Sequence, residues 1–330
     1  MKRIKSFSLG LFASILSFAI LSFAILSCST TVPVKVKRPS KLDMQGARTF
    51  AVLPFQPKYV DLTLDQSSFR GIFSSSSSSD KDLRDKEEIC SNITYELETT
   101  LAKTEYYELQ NASRVKVALE RGSEIPVDVY LYGYISDYQV KDEIQNKEVN
   151  RAEELKYRRH VQVRIVYQII NASTNRSIAS DYYYLENYGY VVDHNKNKLE
   201  TPYQIIKSDI TNMVNKIGKQ IQPYYETVNL SLLSDKTKNP EMKIADNLAN
   251  RGYIEQAQQK FEQIYQETGN FAAGYNSAIL LEAQGQLDMA KTQMEELVSI
   301  TGDNKAIKAL QNIEYEISQQ QKLQTQELFR

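Results

Sequence analysis

Residues 127–138, VDVYLYGYISDY, form a strongly β-rich stretch. Successive side chains of a strand point to opposite faces, and aromatic and β-branched residues favour strands. The stretch therefore predicts a strand with two distinct faces. One face presents Val127, Val129, Leu131, Gly133 and Ile135, and the other presents Asp128, Tyr130, Tyr132 and Tyr134.

The residues before this strand predict alternating strands and helices. RTFAVLPF, residues 48–55, is a compact apolar run and predicts a buried first strand. The six serines at 74–79 cannot bury apolar area and predict a loop, after which acidic residues from Asp80 onward open a helix. Cys90 lies on the apolar stripe of that helix, which predicts a buried thiol. A short strand at 106–109 and a second helix at 112–121 follow.

The residues after the strand predict a hairpin and a closing helix. Residues 141–159 are charged and polar, and they predict a projecting loop or a surface turn of helix. Turn residues at 171–175 separate two strand-like runs, 160–170 and 177–192, which therefore predict a β-hairpin. Thr201-Pro202 provides the cap and the first residue of a helix. This order of elements predicts an α+β domain.

The order of elements resembles the periplasmic domain of the CsgG-like family, which builds curli secretion channels. The resemblance rests on Ala51-Val52-Leu53-Pro54-Phe55, on Asp128-Val129-Tyr130-Leu131-Tyr132-Gly133 and on the turn at 171–176. It covers residues 32–228 and implies a mixed sheet with helices. The chain is also similar to Bacteroidetes-type lipoproteins of unassigned function, which share the Pro-rich lead-in near Arg38-Pro39.

Beyond Asn239-Pro240 the pattern becomes continuously helical and repeats itself at an offset of 33 residues, as from Gly252 to Gly285. Self-similarity at this period marks a helical-hairpin repeat. The pattern resembles the tetratricopeptide repeat, which implies a concave binding groove, and it predicts a capping helix at 303–323. The other matched pairs are Leu248 and Leu281, Ala257 and Ala290, Phe261 and Met294, and Ile264 and Leu297.

The N-terminus has the pattern of an export signal. Basic residues precede an apolar run that closes on Ser27-Cys28. This junction resembles the lipobox of bacterial lipoproteins, which implies lipidation of Cys28 and cleavage in front of it. An uncleaved transmembrane helix is the alternative, because about 20 apolar residues can span a bilayer. The predicted organisation is a signal peptide at 1–27, a lipidated tether at 28–47, a CsgG-like domain at 48–230 and a helical repeat domain at 236–325.

The tether contains two competing signals. Val32, Val34 and Val36 alternate with other residues, which favours a short edge strand. Pro33 and Pro39 favour an irregular linker, since proline cannot donate a hydrogen bond to a neighbouring strand. The linker is the prediction that we adopt for this segment.

The composition and the motifs argue against catalysis and against nucleic-acid binding. The net charge is −1, so no charge bias points to nucleic acid. The sequence contains no HExxH, GxxxxGK, GxSxG or GxGxxG motif. It has two histidines and, besides lipidated Cys28, one cysteine, which are too few soft ligands for an evident zinc site. We therefore expect a protein that is not an enzyme and that has no catalytic residues, cofactor or metal.

The sequence predicts an envelope protein, anchored to the membrane by its lipid, that binds other envelope proteins through the helical repeat. Tyrosine and arginine often anchor interfaces, and asparagine can pair with an extended peptide backbone. Residues 29–31 carry no acidic retention signal, which by resemblance to lipoprotein sorting favours the outer membrane and the periplasmic side. The predicted partner-binding residues are Asn247, Arg251, Tyr275, Asn276 and Glu282.

Two alternative functions stay open. The CsgG-like resemblance implies an oligomeric outer-membrane secretion channel, which would need two membrane hairpins per chain. The other alternative is an activator of a cell-wall synthase, because some small lipoproteins of related fold act in that way. Self-association of the chain also stays open. The candidate hairpins are 139–160, which lacks apolar alternation, and 180–199, in which Tyr182, Tyr184, Tyr188, Tyr190 and Val192 share one face.

Overall fold

A computed structural model describes residues 30–44, 46–58, 80–149, 152–192 and 196–328. Contacts divide the chain into two compact units. The helical unit comprises residues up to 36 together with 227–318, and the sheet unit comprises 37–226 with 319–330. Three predictions fall outside the described residues: the signal peptide, the lipidation of Cys28 and the loop at the serines 74–79. Within the described ranges, no helix is both long enough and apolar enough to cross a membrane.

The described chain contains both strands and helices, with three consecutive strands in its first part and five consecutive helices at its end, which confirms the predicted α+β class. The strands are β1 (Thr31–Arg38), β2 (Thr49–Val52), β3 (Glu108–Leu109), β4 (Val129–Val149), β5 (Ala152–Asn171), β6 (Arg176–Val192) and β7 (Tyr224–Ser231). The α-helices are α1 (Asp80–Ala102), α2 (Ala112–Arg121), α3 (Pro202–Ile221), α4 (Pro240–Asn250), α5 (Ile254–Thr268), α6 (Phe271–Ala283), α7 (Leu287–Thr301) and α8 (Asn304–Leu328).

A five-stranded sheet of order β3-β2-β4-β5-β6 forms the centre of the sheet unit. Strand β2 pairs in parallel with β3 and β4, whereas β4 with β5 and β5 with β6 are antiparallel. The β4–β5 ladder runs from Val129 opposite Asn171 to Val149 opposite Ala152. This hairpin is therefore much longer than the β-rich stretch from which the strand was predicted.

Residues 141–149 and 152–159 belong to the strands of this long hairpin, so the prediction of a loop or a helical turn is wrong over these residues. Most described side chains in the segment are polar on both faces, and this hides the alternation that marks a strand. Hydrogen bonds between neighbouring backbones keep such a segment extended without an apolar face.

An ion pair also joins the two strands of this hairpin. Arg159 donates to both carboxylate oxygens of Asp142, at 2.7 and 2.9 Å, and these bonds lower the pKa of Asp142 to about 2.

The sheet is buried on both faces around β2 and the start of β4. Helices α1 and α3 cover one face, where Ile93 and Ile206 are fully buried in the same cluster as Leu131. Helix α2 covers the other face, where its Val115 joins a cluster that contains Tyr130, which is 1% exposed. Burial of this apolar surface is the main contribution to the stability of the unit.

Residues 31–38 form strand β1, so the prediction of an irregular linker is wrong over these residues. Strands β1 and β7 form a two-stranded sheet. Val32 is 5% exposed and Val34 packs beside it in the apolar core of the helical unit, so alternation buries one side of the strand. Pro33 is tolerated because β1 pairs with a single strand, and an edge strand can lose a donor.

Helices α4 to α7 pack each against the next in the helical unit. Two of the repeated pairs are fully buried as predicted, since Ala257, Ala290, Phe261 and Met294 are all 0% exposed. The predicted capping segment 303–323 lies in the long helix α8 from Asn304 onward. Packing at the repeated positions is therefore confirmed. The assignment to the tetratricopeptide family and the domain boundaries 48–230 and 236–325 stay predictions.

Candidate functional site

The five residues predicted to bind a partner do not share one surface. Asn247 and Arg251 are exposed at the end of α4, and Tyr275 on α6 is half-buried. Asn276 is 0% exposed and Glu282 is 9% exposed. The structure thus corrects the placement of Asn276 and Glu282 on an open groove, because the helical unit packs around both side chains.

The buried amide of Asn276 binds the chain's own backbone. Its Nδ2 donates to the carbonyl of Leu233 at 2.9 Å, and its Oδ1 accepts from the Leu233 N–H at 2.6 Å. Leu232 and Val32 are buried in the apolar cluster of the helical unit, and Leu230 and Val34 pack against that cluster. Asparagine does pair with an extended backbone here, but that backbone is an internal segment and not a partner peptide.

Asn276→Ala is expected to destabilise the helical unit by about 3 kcal/mol, because it leaves the N–H and the carbonyl of Leu233 without their side-chain partners. Urea unfolding of the purified chain, followed by far-ultraviolet circular dichroism, measures the change. Asn247→Ala is the matched control, since Asn247 is exposed, and it should change stability by less than about 0.5 kcal/mol. Equal losses from the two variants would contradict the role given to Asn276.

A row of exposed tyrosines lies along one side of β6 in the sheet unit. The register places Arg158 opposite Tyr190 and Arg164 opposite Tyr184, and opposed residues project to the same face of a sheet. We call this surface the tyrosine face: Tyr182, Tyr184, Tyr188 and Tyr190 on β6 with Lys156, Arg158, His160 and Arg164 on β5. The exposed fractions are 53% for Tyr182, 50% for Tyr184, 39% for Tyr188 and 50% for Tyr190.

Basic side chains of β5 lie over three of these tyrosine rings. A cation above an aromatic ring at an exposed site contributes about 0.5–1 kcal/mol. That is little for the stability of the fold, but it restricts the directions that each ring can take. The distances from cation to ring centre are 4.0 Å from Arg164 to Tyr182, 4.3 Å from Lys156 to Tyr190 and 5.2 Å from Arg158 to Tyr188.

His160 contacts two residues of β6 in the middle of the tyrosine face. Its ring stacks on Tyr188 with the centres 4.3 Å apart, and its Nε2 lies 2.7 Å from Oε1 of Glu186. The same carboxylate oxygen accepts from Nε2 of Gln162 at 3.1 Å. Glu186 is therefore held by two neighbours on β5, and the tyrosines on either side of it are separated by an ordered polar row.

The opposite side of β6 packs on the core, and this sets which way the tyrosine face points. Leu185 is 5% exposed in the cluster formed with α3, and Tyr183 stacks on Tyr167 with the ring centres 6.0 Å apart. Rotation of the strand would expose these side chains. Because alternate residues of a strand face opposite sides, the four tyrosines are directed away from this core.

Strand β6 lies at the edge of the sheet, and two of its N–H groups are covered by side chains. Asp181 accepts from the N–H of Tyr182 at 2.8 Å, and Asn187 accepts from the N–H of Tyr188 at 2.9 Å. Natural sheets protect their edges in comparable ways against pairing with another strand. Contact through side chains of the tyrosine face is therefore favoured over addition of a strand at this edge.

The structure bears on two kinds of reactive group, the thiol of Cys90 and clusters of metal-binding side chains. Cys90 is 3% exposed, and burial raises the pKa of its thiol to about 12, which confirms the predicted buried thiol. At neutral pH such a thiol carries almost no thiolate, the form that attacks substrates. In the part of the chain that the structure covers, no group of three or more histidine, cysteine, aspartate or glutamate side chains could hold a metal ion.

The sequence identified the tyrosines of this face but not their basic partners. Tyr182, Tyr184, Tyr188 and Tyr190 were predicted to share a face, and their exposure and register confirm it. Lys156 and Arg158 fell in the segment predicted as a loop. The missed signal is the alternation of basic or polar residues from Lys156 to Arg164, which becomes visible once the segment is recognised as a strand.

The chain matches no protein-family model and no curated protein. Among solved structures it is similar to a PelC dodecamer from Paraburkholderia phytofirmans, with 12% identity over 58% of this chain and 97% of that chain and a TM-score of 0.26. A minor lipoprotein from Acinetobacter baumannii shows 11% identity, covers 53% of this chain and 91% of that chain, and has a TM-score of 0.24. A lipoprotein from Neisseria meningitidis shows 10% identity, with coverages of 52% and 97% and a TM-score of 0.24. Identities and TM-scores this low carry no argument about function, so the function is argued from the chain's own residues.

Proposed function

We propose that the chain is a non-enzymatic lipoprotein of the bacterial cell envelope that binds a partner protein through the tyrosine face. The observation that carries the proposal is the row of four tyrosines, 39–53% exposed, along one side of β6. Soluble proteins seldom expose several large aromatic side chains together without a binding role. The partner surface is thereby assigned to the sheet unit and not to the helical repeat.

The chemistry of the face suits a protein partner. Tyrosine and arginine are enriched among the residues that anchor protein interfaces, and both occur here in neighbouring positions. The cations of Arg164, Lys156 and Arg158 already restrict three of the tyrosine rings, so these side chains lose less conformational entropy when a partner binds. The polar row around Glu186 supplies hydrogen-bonding groups between the aromatic anchors.

Membrane attachment in this proposal rests on the Ser27-Cys28 junction, which lies outside the described residues. A lipid on Cys28 would hold the chain at the membrane, and the missing acidic residue after it supports the outer membrane facing the periplasm. The tyrosine face would then bind another envelope protein near the membrane. No cofactor or catalytic step is part of the proposal.

The channel alternative is less well supported by the same face. A lipid-facing strand presents an apolar band about 25 Å tall on its outer side. The tyrosine face places Lys156, Arg158 and Arg164 between its tyrosines, and transfer of such cations into lipid is costly. Binding of a polar protein surface leaves these cations partly solvated, so it does not carry this cost.

A photocrosslinking amino acid at position 184 tests the proposal in cells. We expect a defined adduct with one envelope protein, and no such adduct when the crosslinker stands at Tyr95, which is 67% exposed on α1. Adding Tyr182→Ala and Tyr188→Ala should lower the yield of the position-184 adduct by at least about tenfold, because two aromatic anchors are lost.

The matched control removes two exposed tyrosines elsewhere, by Tyr95→Ala and Tyr253→Ala, which are 67% and 53% exposed. This pair should leave the position-184 adduct unchanged. The proposal is wrong if the two double variants lower the adduct equally, or if positions 95 and 184 capture the same set of proteins with similar yield.

A further inference from the structure

A basic groove of about 930 Å³ lies between the ends of α1 and α3 in the sheet unit. Lys103, the residue directly after the end of α1, lines the groove on one side, and the second half of α3 contributes Asn212, Asn215, Lys216 and Lys219. Counted from Asn212, the other three lie three, four and seven positions further along α3, so all four project from one side of the helix. Tyr106 and Tyr224 complete part of the wall.

The two helices can form this groove because they approach closely at Gly218. A Cβ atom at that position would lie 3.2 Å from Cγ2 of Thr100 on α1, which is tighter than ordinary packing. Two polar side chains at the base of the groove are hydrogen-bonded to each other: the hydroxyl of Thr104 donates to Oε1 of Gln222 at 2.7 Å. These contacts order the base of the groove, and the lysines lie around this base.

The lysines of this groove lack carboxylate partners among the described residues. The contacts of Lys216 and Lys219 are with aromatic rings, at 5.9 Å from the ring centre of Tyr183 and 5.0 Å from that of Tyr224. Lys103 makes no ion pair within the described ranges, whereas Lys37 at the rim is paired with Glu327 at 2.6 Å. The lining residues include no aspartate or glutamate, so the charged groups that line the groove are all lysines.

The helix dipole accounts for part of this arrangement only. Cations are stabilised near the C-terminal ends of helices, and Lys103 and Lys219 follow this rule at the ends of α1 and α3. The effect falls off within the last turn, so it does not explain Lys216. It also does not explain Asn212 and Asn215, whose exposed amides make no side-chain hydrogen bond within the described part of the chain.

We propose that this groove binds a phosphate group, with Lys103, Lys216 and Lys219 supplying charge and Asn212 and Asn215 supplying amide donors. A phosphate carries several acceptor oxygens and up to two negative charges, which suits several donors from one concave wall. The groove is distinct from the tyrosine face. The phosphate could belong to a lipid headgroup or be free in solution.

The path of the chain supports a headgroup as the source. The lead-in segment that starts at Cys28 reaches the groove, where the N–H of Leu42 donates to the carbonyl of Gln220 at 2.8 Å. The N–H of Lys41 donates to the carbonyl of Lys219 at 3.3 Å. This step rests on the proposed function: a lipid on Cys28 would attach one end of the segment to the membrane, and the other end is hydrogen-bonded beside the basic groove.

Calorimetric titration of the purified full chain in neutral detergent tests the proposal. One arm uses inorganic phosphate, and the other uses short-chain phosphatidylglycerol with phosphatidylcholine as the zwitterionic comparison. Lys103→Gln, Lys216→Gln and Lys219→Gln combined should weaken binding of the anionic probe about 100-fold, because each lysine near a lipid phosphate contributes about fivefold. Circular dichroism should show that the triple variant is folded, because all three side chains are exposed.

The matched control is the triple variant Lys207→Gln, Lys243→Gln and Lys308→Gln, which removes the same charge from exposed helix positions outside the groove. It should change binding by less than about twofold, since distant charges are screened by salt. Groove-dependent binding of phosphatidylglycerol alone assigns the phosphate to a lipid, and groove-dependent binding of inorganic phosphate assigns it to a soluble source. Equal losses in the two triple variants, or no binding of either probe, would overturn the proposal.

Discussion

Phe261→Ala is expected to destabilise the helical unit by about 3–5 kcal/mol, because the ring is 0% exposed and its removal leaves a cavity. The ring lies on α5 in the apolar cluster that also contains Met294, its counterpart in the second repeat. Truncation removes buried contacts from the centre of the repeat packing. Chemical unfolding of the full chain, followed by helical circular dichroism, measures the loss.

The control for this prediction is Tyr253→Ala, which truncates a large aromatic residue that is 53% exposed next to the start of α5. Its effect should stay below about 0.5 kcal/mol, as for most exposed positions. A loss below about 1 kcal/mol for Phe261→Ala would show that the repeat packing does not depend on the 33-residue pattern. A comparable loss of stability for Tyr253→Ala would show that the effect depends on the size of the truncated side chain and not on its burial.

Cys28→Ala is expected to abolish acylation and to block processing at the Ser27-Cys28 junction. Each buried methylene of an acyl chain contributes about 0.8 kcal/mol to membrane binding, so loss of the chains removes a stable anchor. Metabolic labelling with palmitate, together with gel mobility of the precursor, measures the change. The labelled band should disappear from the variant.

Cys90→Ala provides the matched cysteine control. Cys90 is 3% exposed on α1 and its thiol pKa is raised to about 12 by burial, so it is a poor acceptor for any acyl group. Palmitate labelling and membrane attachment should be retained in this variant. Labelling that persists in Cys28→Ala would show that the lipobox assignment is wrong, wherever the label is then found.

Separate experiments test the proposed protein-binding face and the proposed phosphate groove. The face is tested by the adduct from position 184, and the groove is tested by the titration of the lysine variants. Loss of the adduct with intact phosphate binding, or the reverse, therefore identifies which surface acts. Because both surfaces lie in the sheet unit, folding controls on that unit serve both tests.

The sequence by itself determined the elements whose side chains repeat with a clear period. The 33-residue offset predicted the burial of Ala257, Ala290, Phe261 and Met294, because an apolar residue repeated on one side of a helix must be covered. The same reasoning found the stripe that carries Cys90 and the shared face of the tyrosines on β6. Local chemistry was also sufficient for the cap at Thr201, which accepts from the N–H of Gln204 at 3.3 Å.

Tertiary structure alone decided the features that depend on which segments meet. Residues 141–149 and 152–159 are extended because the neighbouring strands pair with their backbone, and a segment that is polar on both faces lacks the apolar alternation that marks a strand. Strand β1 belongs with the helices because Val32 and Val34 are buried there, a contact between segments some 200 residues apart in sequence. The partner of Asn276 lies 43 residues away in sequence: its amide suits many backbone segments, and only the folded chain places Leu233 against it. Periodicity reports which side of an element is buried, whereas long-range packing determines what buries it.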